Sequence, residues 1–200
     1  MTSAANGPQR ILIVRHGETE WSAAGRHTGR TDIALSSAGQ EEGRSLGPLL
    51  RSLVSESPVV VFASPLQRAI ATAQLAIPRA TPEIADGLAE WDYGTIEGRT
   101  TSEVQQQQPG WDLFADGAPG GESLGQVVAR TTAFIAKMER MAKAGTVIVF
   151  GHGHAGRILT ALLLDWPPST AARLYNDTAS VAVIDRRHDQ LVLRAWNQRA

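Results

Sequence analysis

The chain has 200 residues, 42% of them hydrophobic and 20% charged, with a formal net charge of −1. That length suits one domain, residues 1–200, with a full core, and the composition is that of a globular protein rather than a disordered or fibrous one. Near-neutrality gives no electrostatic case for nucleic acid or an anionic membrane surface, and no apolar run approaches the ~20 residues a membrane span needs.

Cysteine is absent. The chain therefore has no disulfide framework, which suits a reducing cytoplasm, and every mechanism that needs a thiolate is excluded. The N-terminal MTSAANGPQR has no apolar stretch and reads as a frayed tail, not a secretory signal.

Residues 9–15, 58–63 and 146–150 are continuous apolar runs rather than alternating ones, as in parallel strands covered on both faces. After the first run, Leu46, Leu49, Leu50 and Leu53 fall at i, i+3, i+4 and i+7, a core-facing helical stripe. Gly39, Gly43 and Gly47 recur every four residues on that helix and predict close packing, at a propensity cost of about 1 kcal/mol each. Ser64-Pro65 reads as an N-cap and first helical position, opening a helix that runs to about Ile77.

Glu83–Leu88 reads as another strand. The next thirty residues, 90–121, are rich in aromatics and glycine, an excursion of the kind that forms a lid or substrate loop. A long helix is expected along Leu124, Val127, Val128, Thr131, Ile135, Met138 and Ala142, and a shorter one over 155–164. Residues 179–185 and 190–195 read as a closing hairpin. The alternation predicts an α/β three-layer sandwich, a mostly parallel central sheet flanked by helices with antiparallel edge strands. Apolar surface on an edge strand would suit a homodimer.

In such a sheet, ligands sit beyond the carboxyl ends of the strands. Three strands here end in polar chemistry: Arg15-His16-Gly17, Ser64-Pro65-Leu66-Gln67-Arg68 and Gly151-His152-Gly153-His154. Two histidines and two arginines would converge on one crevice. Arginine forks bind phosphate oxygens bidentately and keep their charge, while an imidazole neutral near pH 7 is a nucleophile for phosphorus. The arginines would take the place of the metal that most phosphoryl-transfer sites use. A leaving alkoxide needs a proton, for which Glu90 is the first candidate and Glu18 the second. Gly17, without a Cβ, would let the backbone approach a phosphate.

Together LIVRHGETEW, ASPLQRAIATAQ, LAEWDYGTIEG, GGES and FGHGHAGR resemble the histidine phosphatase superfamily, in its phosphoglycerate mutase-like branch. The resemblance implies that fold, a nucleophile at His16, phosphate-binding Arg15 and Arg68, a proton donor at Glu90, a second histidine at His152, and no metal or other cofactor. His27-Thr28-Gly29-Arg30-Thr31-Asp32 resembles the family's substrate loop, so Ser22, His27, Thr28 and Gly29, with Gly153 and His154, are the expected substrate contacts. Mutases of the family carry Asn where this chain has Ser22, and a longer basic insert where it has only Arg99 between Tyr93 and Arg130. The expectation is a phosphomonoesterase acting on a sugar phosphate or similar ester. A mutase and a silent phospho-ligand binder are the alternatives.

Other patterns compete with this reading. Gly121-Glu122-Ser123-Leu124-Gly125 matches a serine-hydrolase elbow but lacks the preceding buried strand. His152-x-His154 has metal-pair spacing but no accompanying ligand set. His154 either lines the substrate side of the pocket or caps the following helix. Trp21, Trp91 and Trp111 divide evenly between packing and recognition.

Overall fold

A computed structural model describes residues 7–54 and 59–200. Part of the expected N-terminal tail lies outside the described residues, as does Pro58 at the start of the second apolar run. From Gly7 onward the tail is held, which corrects that expectation: the Gly7 and Gln9 amides donate to the carbonyls of Lys143 and Gly145, at 3.3 and 2.8 Å.

Six strands form one sheet: β1 (Arg10–Arg15), β2 (Val59–Ala63), β3 (Glu83–Ile84), β4 (Thr146–Gly151), β5 (Val181–Arg187) and β6 (Gln190–Gln198). Their order is β3-β2-β4-β1-β5-β6. The pairs β2–β3, β2–β4 and β1–β4 are parallel, while β5 pairs antiparallel with both β1 and β6. The expected Glu83–Leu88 strand is only two residues long, because Asp86–Leu88 turns into a 3-10 helix.

Seven α-helices accompany the strands: α1 (Glu20–Ala23), α2 (Ser37–Leu53), α3 (Gln67–Ala76), α4 (Thr101–Gln107), α5 (Leu113–Asp116), α6 (Leu124–Met141) and α7 (Gly153–Leu163). Successive residues of the central strands point to opposite faces, and both faces are covered. Ile11, Ile13, Val147 and Val149 pack with Phe134 and Met138 of α6 and Leu159 and Leu163 of α7. Leu12, Val14, Ile148 and Phe150 pack with Leu46 and Leu50 of α2 and Ala73 and Ala76 of α3. Each of these larger side chains contributes about 1.5–3 kcal/mol by leaving water. Burial on both faces is why the strands read as unbroken apolar runs.

Two glycines of α2 meet the expectation of close packing. A Cβ on Gly43 would stand 3.0 Å from Leu75 Cδ1 of α3, and one on Gly47 would stand 3.1 Å from the Ala76 carbonyl oxygen.

The excursion is built differently from the loop expected for a lid. It contains α4, α5 and a 3-10 turn, and it carries its own core. Trp91, Tyr93, Ile96, Val104, Trp111 and Leu113 bury together against Val127 of α6 and Ile158 and Ala161 of α7. Trp91 and Trp111 are therefore packing residues, each with its indole N–H on a backbone carbonyl, Glu122 at 2.7 Å and Gly117 at 3.0 Å.

Candidate active site

The β1 ladder runs one residue beyond the strand, and that residue is His16. Its amide donates to the Gly151 carbonyl, and its own carbonyl accepts from the Ala179 amide, both at 3.0 Å. The backbone then turns at Gly17, whose amide donates to Thr72 Oγ1 at 3.0 Å. A Cβ on Gly17 would collide with the Gly39 carbonyl, and one on Gly39 would collide with the Glu18 backbone. The space left by Gly17 is thus filled by the first turn of α2 instead of being left open for a phosphate, which corrects the sequence-based reason for that glycine.

The imidazole is fixed as well. Its Nδ1 lies 2.7 Å from the Gly17 carbonyl. A carbonyl can only accept, so Nδ1 carries the hydrogen and Nε2 of the neutral ring holds the free lone pair. Burial, reinforced by the charges of Arg15 and Arg68, pushes the His16 pKa well below 6.5. The ring is uncharged at neutral pH.

His152 follows β4, one residue before α7, with its ring 5.2 Å from that of His16. Its Nε2 lies 2.6 Å from Ser64 Oγ. Burial, followed by the nearby Arg68, His16 and Arg15, holds it neutral too. Ser64 was expected to cap a helix. Instead α3 begins at Gln67, Leu66 occupies the cap position without a side-chain bond, and the fully buried Ser64 hydroxyl faces His152. A serine at a strand end followed by proline gave the same sequence signal as a cap.

The two arginines differ. Arg68 is completely buried and spends its guanidinium on the 27–32 loop, donating to the carbonyls of Thr28, Gly29 and Thr31 at 3.0–3.1 Å. Its Nε, like that of Arg15, has no protein partner. Arg15 donates through Nη1 to the Asn176 carbonyl at 2.6 Å.

The Glu90 carboxylate accepts three backbone N–H groups. Trp91 and Ala155 donate to Oε1 at 2.8 and 2.9 Å, and His154 donates to Oε2 at 3.0 Å. Two of these donors belong to the first turn of α7, where N–H groups have no intrahelical partner and the helix dipole favours an anion. Gly153 lies between the two groups: a Cβ there would stand 3.6 Å from both Glu90 Oε2 and Arg15 Nε, an ordinary packing distance. Glu18, the second proton-donor candidate, points elsewhere: its Oε1 accepts from Ser36 Oγ at 2.7 Å, at the N-cap of α2.

A cavity of about 270 Å3 opens over His16, lined by Arg15, Ser22, His27, Thr28, Glu90, Gly153 and His154 among others. Arg68 and His152 lie behind this lining. Gly29 also lies outside it, packed so that a Cβ would stand 2.9 Å from Tyr93 Cδ2. Ser22 borders the cavity but its hydroxyl closes the capping box of α1, accepting from the Thr19 amide at 2.8 Å and donating to the Thr19 carbonyl at 3.0 Å.

The outer wall combines neutral donors and acceptors with two arginines, Arg26 and Arg157. Tyr93 Oη lies 2.6 Å from His154 Nδ1, and His27 Nε2 lies 3.3 Å from Thr101 Oγ1. Burial lowers His27 to about 4. Burial, with Arg157, His27 and Arg15 nearby, pushes His154 well below 6.5. His154 lines the cavity and does not cap the helix: the N-cap of α7 is His152, which makes no side-chain cap bond.

Arg26, Tyr93, Thr101, Arg157, Tyr175 and Asn176 also line the cavity and were not singled out from sequence. They come from four separate segments, and no local pattern marks them. The described residues contain no group of three or more His, Asp or Glu placed to hold a metal ion. None of their helices is long and apolar enough to cross a membrane.

Residues 11–199 match the family described as histidine phosphatase superfamily (branch 1). An acid phosphatase of Mycobacterium tuberculosis is 36% identical over 179 residues, covering 90% of this chain and 87% of that protein. A sedoheptulose 1,7-bisphosphatase of Saccharomyces cerevisiae is 32% identical over 76% of this chain and 66% of its own length. Among solved structures, the product of an open reading frame of M. tuberculosis superposes with a TM-score of 0.90 at 34% identity, covering 96% of this chain and 98% of the other.

Proposed function

The chain belongs to the histidine phosphatase superfamily and is a phosphatase of small phosphate esters; from that premise we propose that it works through a phosphohistidine on His16, without a metal. The observation that carries the reading is the His16 ring, its free Nε2 set by the Gly17 carbonyl, with Arg15 and Glu90 lining the same cavity.

In the first step Nε2 of His16 attacks phosphorus and the ester P–O bond breaks. Arg15 and Arg68, with neutral His152 between the rings and Ser64, offset charge on the transferring oxygens. The leaving alkoxide takes its proton from the Glu90 carboxyl group. In the second step Glu90 removes a proton from water, the resulting hydroxide attacks phosphorus, and the N–P bond breaks to release phosphate and restore His16. Oε2 of Glu90 accepts a single backbone N–H and so retains a lone pair for this proton.

The wall's hydroxyls and neutral imidazoles, with the Arg26 and Arg157 guanidiniums each donating to a backbone carbonyl, support a small hydroxylated ester, a sugar phosphate or similar molecule, as substrate. The excursion does not favour a mutase. Arg99, the one basic residue between Tyr93 and Arg130, has its Nη2 committed to the Glu103 carbonyl at 3.0 Å, leaving that segment little to hold a second phosphoryl group. The whole chain acts as one unit in this reading, with 90–121 as a fixed wall of the pocket.

The reading is tested by hydrolysing a panel of phosphorylated sugars in 18O-labelled water with chelator present. The expected result is one label in the released phosphate, none in the alcohol, and an unchanged rate. Label in the alcohol, an isomerised phosphate ester or loss of activity with chelator would overturn it.

A further inference from the structure

Glu90 is held at its carboxylate by backbone amides, but those bonds fix only the end of the side chain. Its main chain lies at a junction, where the 3-10 turn 86–88 ends and the excursion begins. Carbonyls at a helix end have no intrahelical donor and need one from elsewhere. Here the donor is a single side chain from another element. Arg130 of α6 donates through Nη1 to the carbonyls of Gly87 at 3.0 Å and Ala89 at 2.7 Å, and through Nη2 to that of Glu90 at 3.1 Å.

The other edge of the same guanidinium is taken by Glu122. Nε and Nη2 of Arg130 donate to its two oxygens at 2.7 and 3.0 Å, a bidentate pair with both side chains largely buried. Glu122 is itself tied to the segment after Glu90. Its Oε2 accepts from the Asp92 amide at 2.9 Å, its amide donates to the Asp92 carbonyl at 2.9 Å, and its carbonyl accepts the Trp91 indole N–H at 2.7 Å. Burial alone would raise the Glu122 pKa, but the bonds from Arg130 and Asp92 outweigh it and hold the carboxyl below its ordinary range.

One fork therefore pins the residues on both sides of Glu90 to α6, which also carries Phe134 and Met138 of the main core. The neighbouring α7 supplies the amides that orient the Glu90 carboxylate. We propose that Arg130, locked by Glu122, is a positioning residue that sets the proton donor Glu90 at its working distance from the leaving oxygen. The proposal rests on the reading of Glu90 as that donor. Arg130 does not itself line the cavity and touches the site only at the Glu90 carbonyl. It reaches the site only through backbone carbonyls and Glu122, and the planar fork, serving three carbonyls and two carboxylate oxygens, is a task that a lysine's point charge cannot perform.

A proton donor matters in proportion to how poorly the leaving group departs. An alkyl alkoxide needs the proton, whereas p-nitrophenolate leaves without one. The experiment compares β-glycerophosphate with p-nitrophenyl phosphate in Glu90→Gln, Arg130→Met, Arg130→Lys and the Glu90→Gln/Arg130→Met double variant. The parameter compared is kcat/KM, which reports the first step alone, since hydrolysis of the common phosphohistidine uses Glu90 whichever ester formed it. Glu90→Gln should lower kcat/KM on the alkyl ester by about 10²–10⁴-fold, the usual worth of a general acid, and far less on the aryl ester. Arg130→Met should lower kcat/KM on the alkyl ester by about 10²-fold, as expected for a small misplacement of a reacting group, again sparing the aryl ester. Arg130→Lys should fall between Arg130→Met and the parent, and it carries the same comparison if Arg130→Met fails to fold. In the double variant the arginine change should add nothing further on the alkyl ester, since both act through one group.

Equal losses on the two esters in the arginine variants, or independent losses in the double variant, would reduce Arg130 to a structural residue and overturn the proposal. If Glu90→Gln itself treats the two esters alike, the donor reading fails first and the proposal falls with it. If Glu90→Gln discriminates and the arginine variants do not, only the positioning role fails.

Discussion

The floor and the wall of the pocket are made in opposite ways. The floor is the carboxyl edge of a sheet: Arg15 ends β1, His16 follows it, Ser64 follows β2 and His152 follows β4, each placed by a ladder of backbone bonds buried on both faces. The wall is made of loops that hold one another. Glu97 accepts from the backbone and side chain of Thr31 and from the Arg30 amide, and His27 exchanges backbone bonds with Arg99 and Gly98 at 2.9 Å. The proposed nucleophile and its neighbours are thus held by the doubly covered sheet. The groups proposed to meet the rest of the substrate are fixed by side chains that a single change can release.

Removing a floor group should be the sharpest break. His16→Ala leaves the ladder intact and deletes the nucleophile, so kcat should fall on the order of 10⁶-fold on every ester with little change in melting temperature, as steady-state assays and calorimetry would show. A loss confined to some substrates would place His16 in the wall.

Gly39→Ala comes next, because it strikes the floor from outside the pocket. Its new Cβ collides with the Glu18 backbone, which cannot move without displacing His16. Overpacking of this kind costs about 1–3 kcal/mol, measurable by urea denaturation, and kcat should fall with it. Gly43→Ala is the matched control: its Cβ meets the Leu75 side chain, Cδ1 at 3.0 Å and Cβ at 3.2 Å, and no backbone, and the propensity gain of about 1 kcal/mol offsets that crowding, so the loss should be smaller than at Gly39. If both variants lose equally, the contact at Glu18 is not special.

A wall change should alter preference more than rate. Tyr93→Phe removes the hydroxyl bonded to His154 and should raise KM for hydroxylated esters several-fold, the scale of a hydrogen bond worth about 1 kcal/mol, while kcat on p-nitrophenyl phosphate changes little. Equal effects on both parameters for both esters would blur the distinction between wall and floor.

The smallest effect is on stability with pH. His27 has its pKa lowered to about 4 by burial. Between pH 6.5 and about 4 the unfolded chain binds a proton there that the folded chain does not, so stability is highest above 6.5 and is lost as pH falls through this window. The slope is about 1.4 kcal/mol per pH unit for one such group. His27→Gln should flatten the slope of unfolding free energy against pH by that amount, and an unchanged slope would mean the ring is not held neutral.

The same contrast explains what the amino-acid sequence could show. His16, His152, Arg15 and Arg68 were legible because each follows an apolar run that could only be a buried parallel strand, and strand ends in such sheets share an edge. Glu90 was legible from its place at the start of the excursion. Ser64 was misread because an N-cap and a buried hydroxyl at a strand end are written with the same residues. Arg157, Tyr175, Asn176 and Arg26 come together only through tertiary packing, and the fork of Arg130 lies on the helix face next to a clean apolar stripe, where an arginine looks like surface. The excursion read as a loop because its glycines and aromatics hide a small core of its own.

The phosphohistidine is the centre of the account, and rapid-quench labelling tests it most directly. The protein is mixed with a 32P-labelled phosphate ester, quenched within milliseconds, and the protein-bound label is followed in acid and in base. The expected result is an adduct that is stable in base and labile in acid, that decays at the rate of turnover, and that is absent from His16→Ala. Label that persists in His16→Ala, or turnover with no adduct at any quench time, would contradict it.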